Sequence, residues 1–267
     1  MALLTTFLCS GVTQADTLRV AVASNFKPIV QQLADRFRSA TGHQVLLSAA
    51  STGVLFNQLT HGAPFDLFLS ADSERPQQLF ELGKLVEAPK TYAYGRLVFW
   101  QPGNHSIDYK TLTSWQGRLA MANPKTAPYG LAAQQVLESF KLWGEEKIQL
   151  LQGANIQQAW QYVATGNAAA GFVALSQMLS DPVLSNKTPA DYLLLRDELY
   201  NPIRQDLAIL NSGNTALTKQ FVAFILEPAQ QELIQAAGYY PVSTVTYPES
   251  SEPTAPPVRD TPAKAVM

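Results

Sequence analysis

Four short segments of this chain share one form: Ala23-Ser24-Asn25-Phe26, Ala50-Ser51-Thr52-Gly53, Ala127-Pro128-Tyr129-Gly130 and Ala154-Asn155-Ile156-Gln157. Each runs from the end of a strand or loop, through small or polar residues, into a helical pattern. The first turn of a helix carries backbone N–H groups with no intrahelical acceptor. Its start bears roughly half a positive charge from the aligned peptide dipoles. Several such starts converging on one point would bind an anion without any charged side chain. Ser24 and Ser51 fit two roles there. Each hydroxyl either accepts from the N–H groups of its own helix as an ordinary N-cap, or donates its hydrogen to an anion oxygen. The recurrence of the form within one chain weighs against capping alone, because ligands of α/β sheets sit beyond the carboxyl ends of strands, where such loops gather.

None of the four segments contains Asp or Glu. A pocket made only of donors suits an oxyanion that has no proton at neutral pH. Hydrogen phosphate carries a proton that needs an acceptor, and leaving it unpaired in a buried site is costly. The residue types therefore lean toward molybdate, tungstate or sulfate over phosphate. The sequence has no Gly-x-Ser-x-Gly, no His-Glu-x-x-His, no phosphate-binding loop ending in Gly-Lys-Ser/Thr and no Gly-x-Gly-x-x-Gly. Asp66 and Asp72 flank an apolar run, where solvated turn or capping roles suit aspartate better than paired acid–base work. His43, His61 and His105 are not in metal-ligand spacing, and Cys9 is the only cysteine, so the chain can have no internal disulfide.

The elements that must position these segments alternate. Leu18–Ala23 reads as a strand and Phe26–Ala40 as an amphipathic helix, with Ile29, Leu33, Phe37 and Ala40 at helical spacing. Strand and helix patterns continue at 44–48, 54–60, 65–70 and 73–82. The run Tyr94–Gln101 reads as one longer apolar strand. Then come a strand at 118–122, helices at 130–143 and 157–165, strands at 170–174, 192–195 and 206–210, and two helices parted by Pro228. The alternation predicts an α/β protein with largely parallel sheets. Only 15% of the 267 residues are charged, with a formal net charge of -2 and the cations scattered, which argues against nucleic-acid binding. Residues 1–15 resemble an export signal: an uncharged apolar run, too short to span a bilayer, ending on Ala15 before Asp16. No Lys or Arg precedes that run. Residues 247–267, rich in Pro, Ser and Glu, have little to bury and predict a disordered tail.

The ordered set of motifs resembles the periplasmic molybdate-binding proteins. It comprises Ala23-Ser24, Ser51, Gly62-Ala63-Pro64-Phe65-Asp66-Leu67-Phe68-Leu69-Ser70-Ala71-Asp72, Arg118-Leu119-Ala120 running into Asn123-Pro124, Pro128-Tyr129-Gly130, Gly171-Phe172-Val173 and Gly238-Tyr239. The likeness covers roughly residues 16–242. No single motif in it is highly specific. It implies a two-lobed type II periplasmic binding protein, with residues 16–94 and 206–246 in one lobe, 95–205 in the other and the chain crossing twice. It also implies ligand residues. Ser24 and Ser51 would donate hydroxyls and backbone N–H groups, and Asn25 and Ile156 backbone N–H groups. Some relatives place a ligand tyrosine where this chain has Ala174; others resemble it in carrying a tyrosine before the glycine, so Tyr129 is the replacement donor, with simple packing as the alternative. Asn123 stands where an acidic residue is common. The expected protein is an exported, periplasmic monomer that needs no cofactor or directly bound metal, captures molybdate or tungstate, and passes it to the membrane permease of an ABC importer. Sulfate or thiosulfate binding differs only in cavity size. A sensor that presents its closed lobes to a regulator would need the same site. An enzyme on the same scaffold would need a nucleophile or base in the cleft, and the sequence offers no candidate.

Overall fold

In the computed structural model, residues 15–180, 192–211 and 213–242 are described. The expected export signal and tail lie outside them, apart from Ala15. Two five-stranded sheets, each flanked by helices, form the protein. The first holds β1 (Thr17–Ala23), β2 (Gln44–Ala50), β3 (Leu67–Leu69), β4 (Lys90–Gly95) and β10 (Ile203–Ile209), in the order β2-β1-β3-β10-β4. The second holds β5 (Leu97–Trp100), β6 (Gly117–Ala122), β7 (Ile148–Gly153), β8 (Ala170–Ala174) and β9 (Tyr192–Leu194), in the order β7-β6-β8-β5-β9. The two orders match position for position. In each sheet three strands run parallel, and one strand entering from the other half lies antiparallel between its neighbours: β10 beside β3 and β4, β5 beside β8 and β9.

The sequence pattern accounts for most of this. β1 ends in an unbroken buried run, and β3, β5 and β8 are buried throughout, as strands covered on both faces must be. Helix α1 (Lys27–Thr41) buries Ile29, Val30, Leu33, Ala34 and Phe37 against the first sheet and stops at Gly42, whose φ of 81° fits a left-handed C-cap. Phe37 meets Phe221 of α8 (Thr215–Leu226) edge-on at 5.0 Å. The second half packs Leu97, Phe99, Leu119, Met121 and Phe172 around α5 (Pro128–Ser139), whose Val136 and Leu137 are buried.

Four details differ from the sequence reading. The run 94–101 is two strands, not one: β4 ends at Gly95, β5 begins at Leu97, and they belong to different sheets, so Arg96 is where the chain changes halves. Continuous hydrophobicity hides such a break. Strand β7 and the short helices α4 (Tyr109–Thr113) and α7 (Leu175–Ser180) were not anticipated. The helix expected from Gly130 begins two residues earlier, at Pro128, where proline is favoured because its missing N–H would have no partner. Asp66 is buried rather than solvated. Its carboxylate accepts from Arg19 N at 2.6 Å and Asn214 N at 3.0 Å, tying β1 to the start of α8. Asp72 does cap a turn, accepting from Arg75 N at 3.1 Å.

Candidate oxyanion-binding site

Register brings the predicted residues together. β1 and β2 are parallel, with Ala23 opposite Ala50, so the next residues, Ser24 and Ser51, leave adjacent strand ends on the same side. Ser24 N donates to Ala50 O at 3.0 Å. The second half repeats the arrangement: Ala122 of β6 lies opposite Gly153 of β7, and Asn123 N donates to Gly153 O at 2.8 Å. From those ends the chain enters α5 and α6 (Ile156–Ala164). Ser24, Asn25, Ser51, Tyr129 and Ile156 all line one small hollow, together with Ala23, Thr52, Ala71, Ala127 and Pro128. Among the described residues no charged side chain lines it. A wider groove that shares Ser24 opens beside it, with Lys27, Gln31, Gln157 and Gln161 on its walls.

Ser51 occupies the N-cap position of α2 (Thr52–Thr60), yet its hydroxyl makes no capping bond. That oxygen is buried and, among the described residues, has no hydrogen-bond partner. An unpaired buried hydroxyl costs about 1–3 kcal/mol, so its persistence calls for an explanation. Capping also fails for Ser24. The N-cap of α1 is Phe26, which leaves Ser24 outside the helix.

The amide nitrogen of Asn25 is fully engaged. Its Nδ2 donates to Gln205 Oε1 at 3.1 Å and to the Tyr239 hydroxyl at 3.2 Å, while the Tyr239 hydroxyl donates to Asn25 O at 2.9 Å. Its backbone N–H makes no hydrogen bond among the described residues and is left for another partner. Ile156 is the first residue of α6. Asn155 Oδ1 accepts from Gln158 N at 3.0 Å and Gln158 Oε1 from Ala154 N at 2.6 Å. This reciprocal cap satisfies the flanking donors and leaves the Ile156 and Gln157 N–H groups at the dipole's positive end. From behind, Gln177 Nε2 holds Ile156 O at 3.2 Å while its Oε1 accepts from Ala174 N at 3.0 Å.

Tyr129 follows Pro128 in the first turn of α5. Gly130 N and Leu131 N both turn to Ala127 O, at 2.8 and 3.1 Å, so the Tyr129 N–H has no intrahelical acceptor. The Tyr129 hydroxyl accepts from Gln205 Nε2 at 3.2 Å. Burial pushes this phenol, and that of Tyr239, well above the usual tyrosine range. Both therefore stay protonated in mildly basic solution. With no titratable carboxylate or amine in the lining, affinity for an unprotonated oxyanion should vary less than about twofold between about pH 7 and pH 9. Titration calorimetry at the two ends of that range checks this, and a steep fall would expose a titrating group in the site.

The two halves touch at the mouth as well. Gly53 N donates to Thr126 O at 2.9 Å, and Arg75 Nη2 reaches Lys125 O at 3.3 Å. A side chain at Gly53 would bring its Cβ to 3.0 Å from Thr126 O, so glycine permits this close approach. Asn123 Oδ1 accepts from Lys125 N at 3.0 Å and so shapes the same loop.

Sequence reasoning missed Gln205, Tyr92 and Ser176, which with Tyr239 of the Gly238-Tyr239 motif form a buried polar cluster behind the hollow. No local signal marks them, since their partners lie far away along the chain. Among the described residues no cluster of His, Cys, Asp or Glu could hold a metal ion, and no helix is long and apolar enough to cross a membrane.

Comparison with known proteins agrees with this architecture. Residues 18–240 match the family described as bacterial extracellular solute-binding protein. The chain is 40% identical over 237 residues to the molybdate-binding protein ModA of Azotobacter vinelandii, covering 87% of this chain and 93% of that protein. To the molybdate-binding protein ModA of Rhodobacter capsulatus it is 36% identical over 223 residues, covering 82% and 86% respectively. The solved structure of the Azotobacter vinelandii periplasmic molybdate-binding protein superimposes with a TM-score of 0.76 at 34% identity, covering 83% of this chain and 98% of that one. With its two-lobed type II fold and its match across both lobes, the chain belongs to the bacterial extracellular solute-binding protein family.

Proposed function

We propose that this chain is the periplasmic, substrate-capturing component of an ABC importer for molybdate or tungstate, a binding protein and not an enzyme. The observation that carries the reading is the buried, unpartnered Ser51 hydroxyl in a hollow lined by neutral residues only. An anion oxygen would satisfy that donor. Ser24 and Ser51 would give hydroxyls and backbone N–H groups, Asn25 and Ile156 backbone N–H groups, and Tyr129 its first-turn N–H and its hydroxyl. The charge of the guest would be met by helix starts rather than by cations. No cofactor is required. The names of the similar molybdate-binding proteins support the choice of anion.

The two lobes, one built on each sheet, would close on the anion as a hinge. A ligand shifts such an equilibrium only by binding the closed form better. A guest that touches Ser51 and Ile156 together does so, because those residues belong to opposite lobes. The closed monomer would then be recognised by a membrane permease.

Calorimetric titration of the full chain with molybdate, tungstate, sulfate and phosphate in one buffer tests the reading. Molybdate and tungstate should bind at least about a hundredfold more tightly than phosphate, the size of penalty expected when a proton is buried without an acceptor. Phosphate affinity equal to molybdate affinity would overturn the donor-only site. Preference for sulfate would keep the site and replace the substrate.

A further inference from the structure

One buried amide joins the two halves of the hollow. Gln205 lies on β10, fully buried, where the chain returns to the first sheet. Its Oε1 accepts from Asn25 Nδ2 at 3.1 Å and from the Tyr92 hydroxyl at 3.0 Å, and its Nε2 donates to the Tyr129 hydroxyl at 3.2 Å. Asn25 belongs to one lobe and Tyr129 to the other.

The two ends of the amide face different neighbours. The hydrogens of Asn25 Nδ2 go to Gln205 Oε1 and to the Tyr239 hydroxyl. The Tyr92 hydroxyl places its hydrogen between Ser70 O, at 2.9 Å, and Gln205 Oε1. With Oε1 facing Asn25 Nδ2 and the Tyr92 hydroxyl, Nε2 is the end that faces Tyr129. A hydroxyl that accepts a hydrogen bond keeps its own hydrogen to give. Among the described residues no protein acceptor takes that hydrogen. The contact also depends on Gly95, where a Cβ would lie 2.2 Å from the Tyr129 hydroxyl and 2.8 Å from Gln205 Nε2.

Resting on the oxyanion reading above, we infer that Gln205 is a specificity-determining positioning residue. It fixes one ligand-facing residue in each lobe, and by donating to the Tyr129 hydroxyl it reserves the phenol hydrogen for the anion. With the amide turned round, Oε1 would draw that hydrogen away from the hollow. The phenol oxygen would then be free to accept the proton of a guest such as hydrogen phosphate. The polarity of one amide thus selects against protonated anions. Gln205→Glu, when ionised, replaces the donor facing Tyr129 by a second acceptor, because a carboxylate only accepts.

The test titrates molybdate and phosphate into the full chain, comparing wild type with Gln205→Glu, Gln205→Met, Tyr129→Phe and the double variant of the last two. Gln205→Glu should weaken molybdate binding at least about tenfold and phosphate binding less, narrowing the ratio between them. Gln205→Met should weaken molybdate binding about tenfold in the wild-type background, but less than about threefold beside Tyr129→Phe, since two residues acting through one contact are not additive. Molybdate binding within about twofold of wild type in either single Gln205 variant would overturn the assignment, as would an equal loss in both backgrounds. Circular dichroism checks folding. Should both Gln205 variants fail to fold, Gly95→Ala separates phenol from amide while keeping both, and unchanged molybdate affinity there would overturn the assignment. A wild type that binds neither anion sinks the oxyanion reading and the role of Gln205 with it. A wild type that binds, with variants that match it, sinks only the latter.

Discussion

Ser51→Ala should weaken molybdate binding by about tenfold to a hundredfold, the worth of a hydrogen bond to a charged group, while leaving the unliganded protein as stable as before or slightly more so. The two effects point in opposite directions because the hydroxyl has no partner in the protein. Alanine at an N-cap ordinarily costs about 1 kcal/mol. Here the side chain makes no capping bond, so there is none to lose. Removing a buried, unpaired oxygen relieves a desolvation penalty. On the proposed reading the residue would contribute to binding and not to folding. Thermal melts with and without molybdate, beside a titration, separate the two. Parallel loss of melting temperature and affinity would mean that Ser51 is structural, and unchanged affinity would remove it from the site.

Gly130→Ala should be damaging in a different way. Inside a helix, alanine is favoured over glycine by about 1 kcal/mol, so propensity alone predicts a gain. Packing reverses the sign. A Cβ at position 130 would sit 2.4 Å from Ala122 O and 2.8 Å from the carbonyl carbons of Ala122 and Asn123. All three are backbone atoms at the carboxyl end of β6, and none can rotate away. Overpacking of this kind costs typically 1–3 kcal/mol, and a rigid obstacle argues for the upper end. The helix start must shift, and Tyr129 shifts with it. The variant should lose about 1–2 kcal/mol of stability net of propensity and at least about tenfold in molybdate affinity. Denaturant unfolding and titration measure both. A variant more stable than wild type would show that α5 can back away from β6 at no cost.

Much of the site was legible because its signals are local. Ser24, Ser51 and the starts of α5 and α6 stand at strand-to-helix junctions, and a parallel sheet gathers such junctions at one edge. The donor-only character could be read from residue types. What could not be read depends on distant pairings. Gln205 meets Asn25 across 180 residues and Tyr129 across 76. Gly95 serves that contact without taking part in any motif. The break at Arg96 is silent because apolar residues continue on both sides of it. The serines looked like caps, and only coordinates could show that neither hydroxyl caps its helix. β7 went unread because Ile148–Gly153 is half exposed and carries glutamines at Gln149 and Gln152, which blur the apolar pattern.

The placement of β10 has a consequence for how the molecule comes into being. The second sheet is built from one continuous stretch, β5 to β9, and can condense as soon as that stretch is available. The first sheet cannot. Its β3 and β4 lack the strand that belongs between them until the whole other half has been made, and sequence-distant closures of this kind are slow. During that interval β3, apolar throughout, presents an uncovered edge that invites mispairing. The late strand that seals this edge is also the one that carries Gln205. Maturation of the fold and completion of the proposed anion seat would then be a single event, and a half-assembled chain would have no means of retaining cargo.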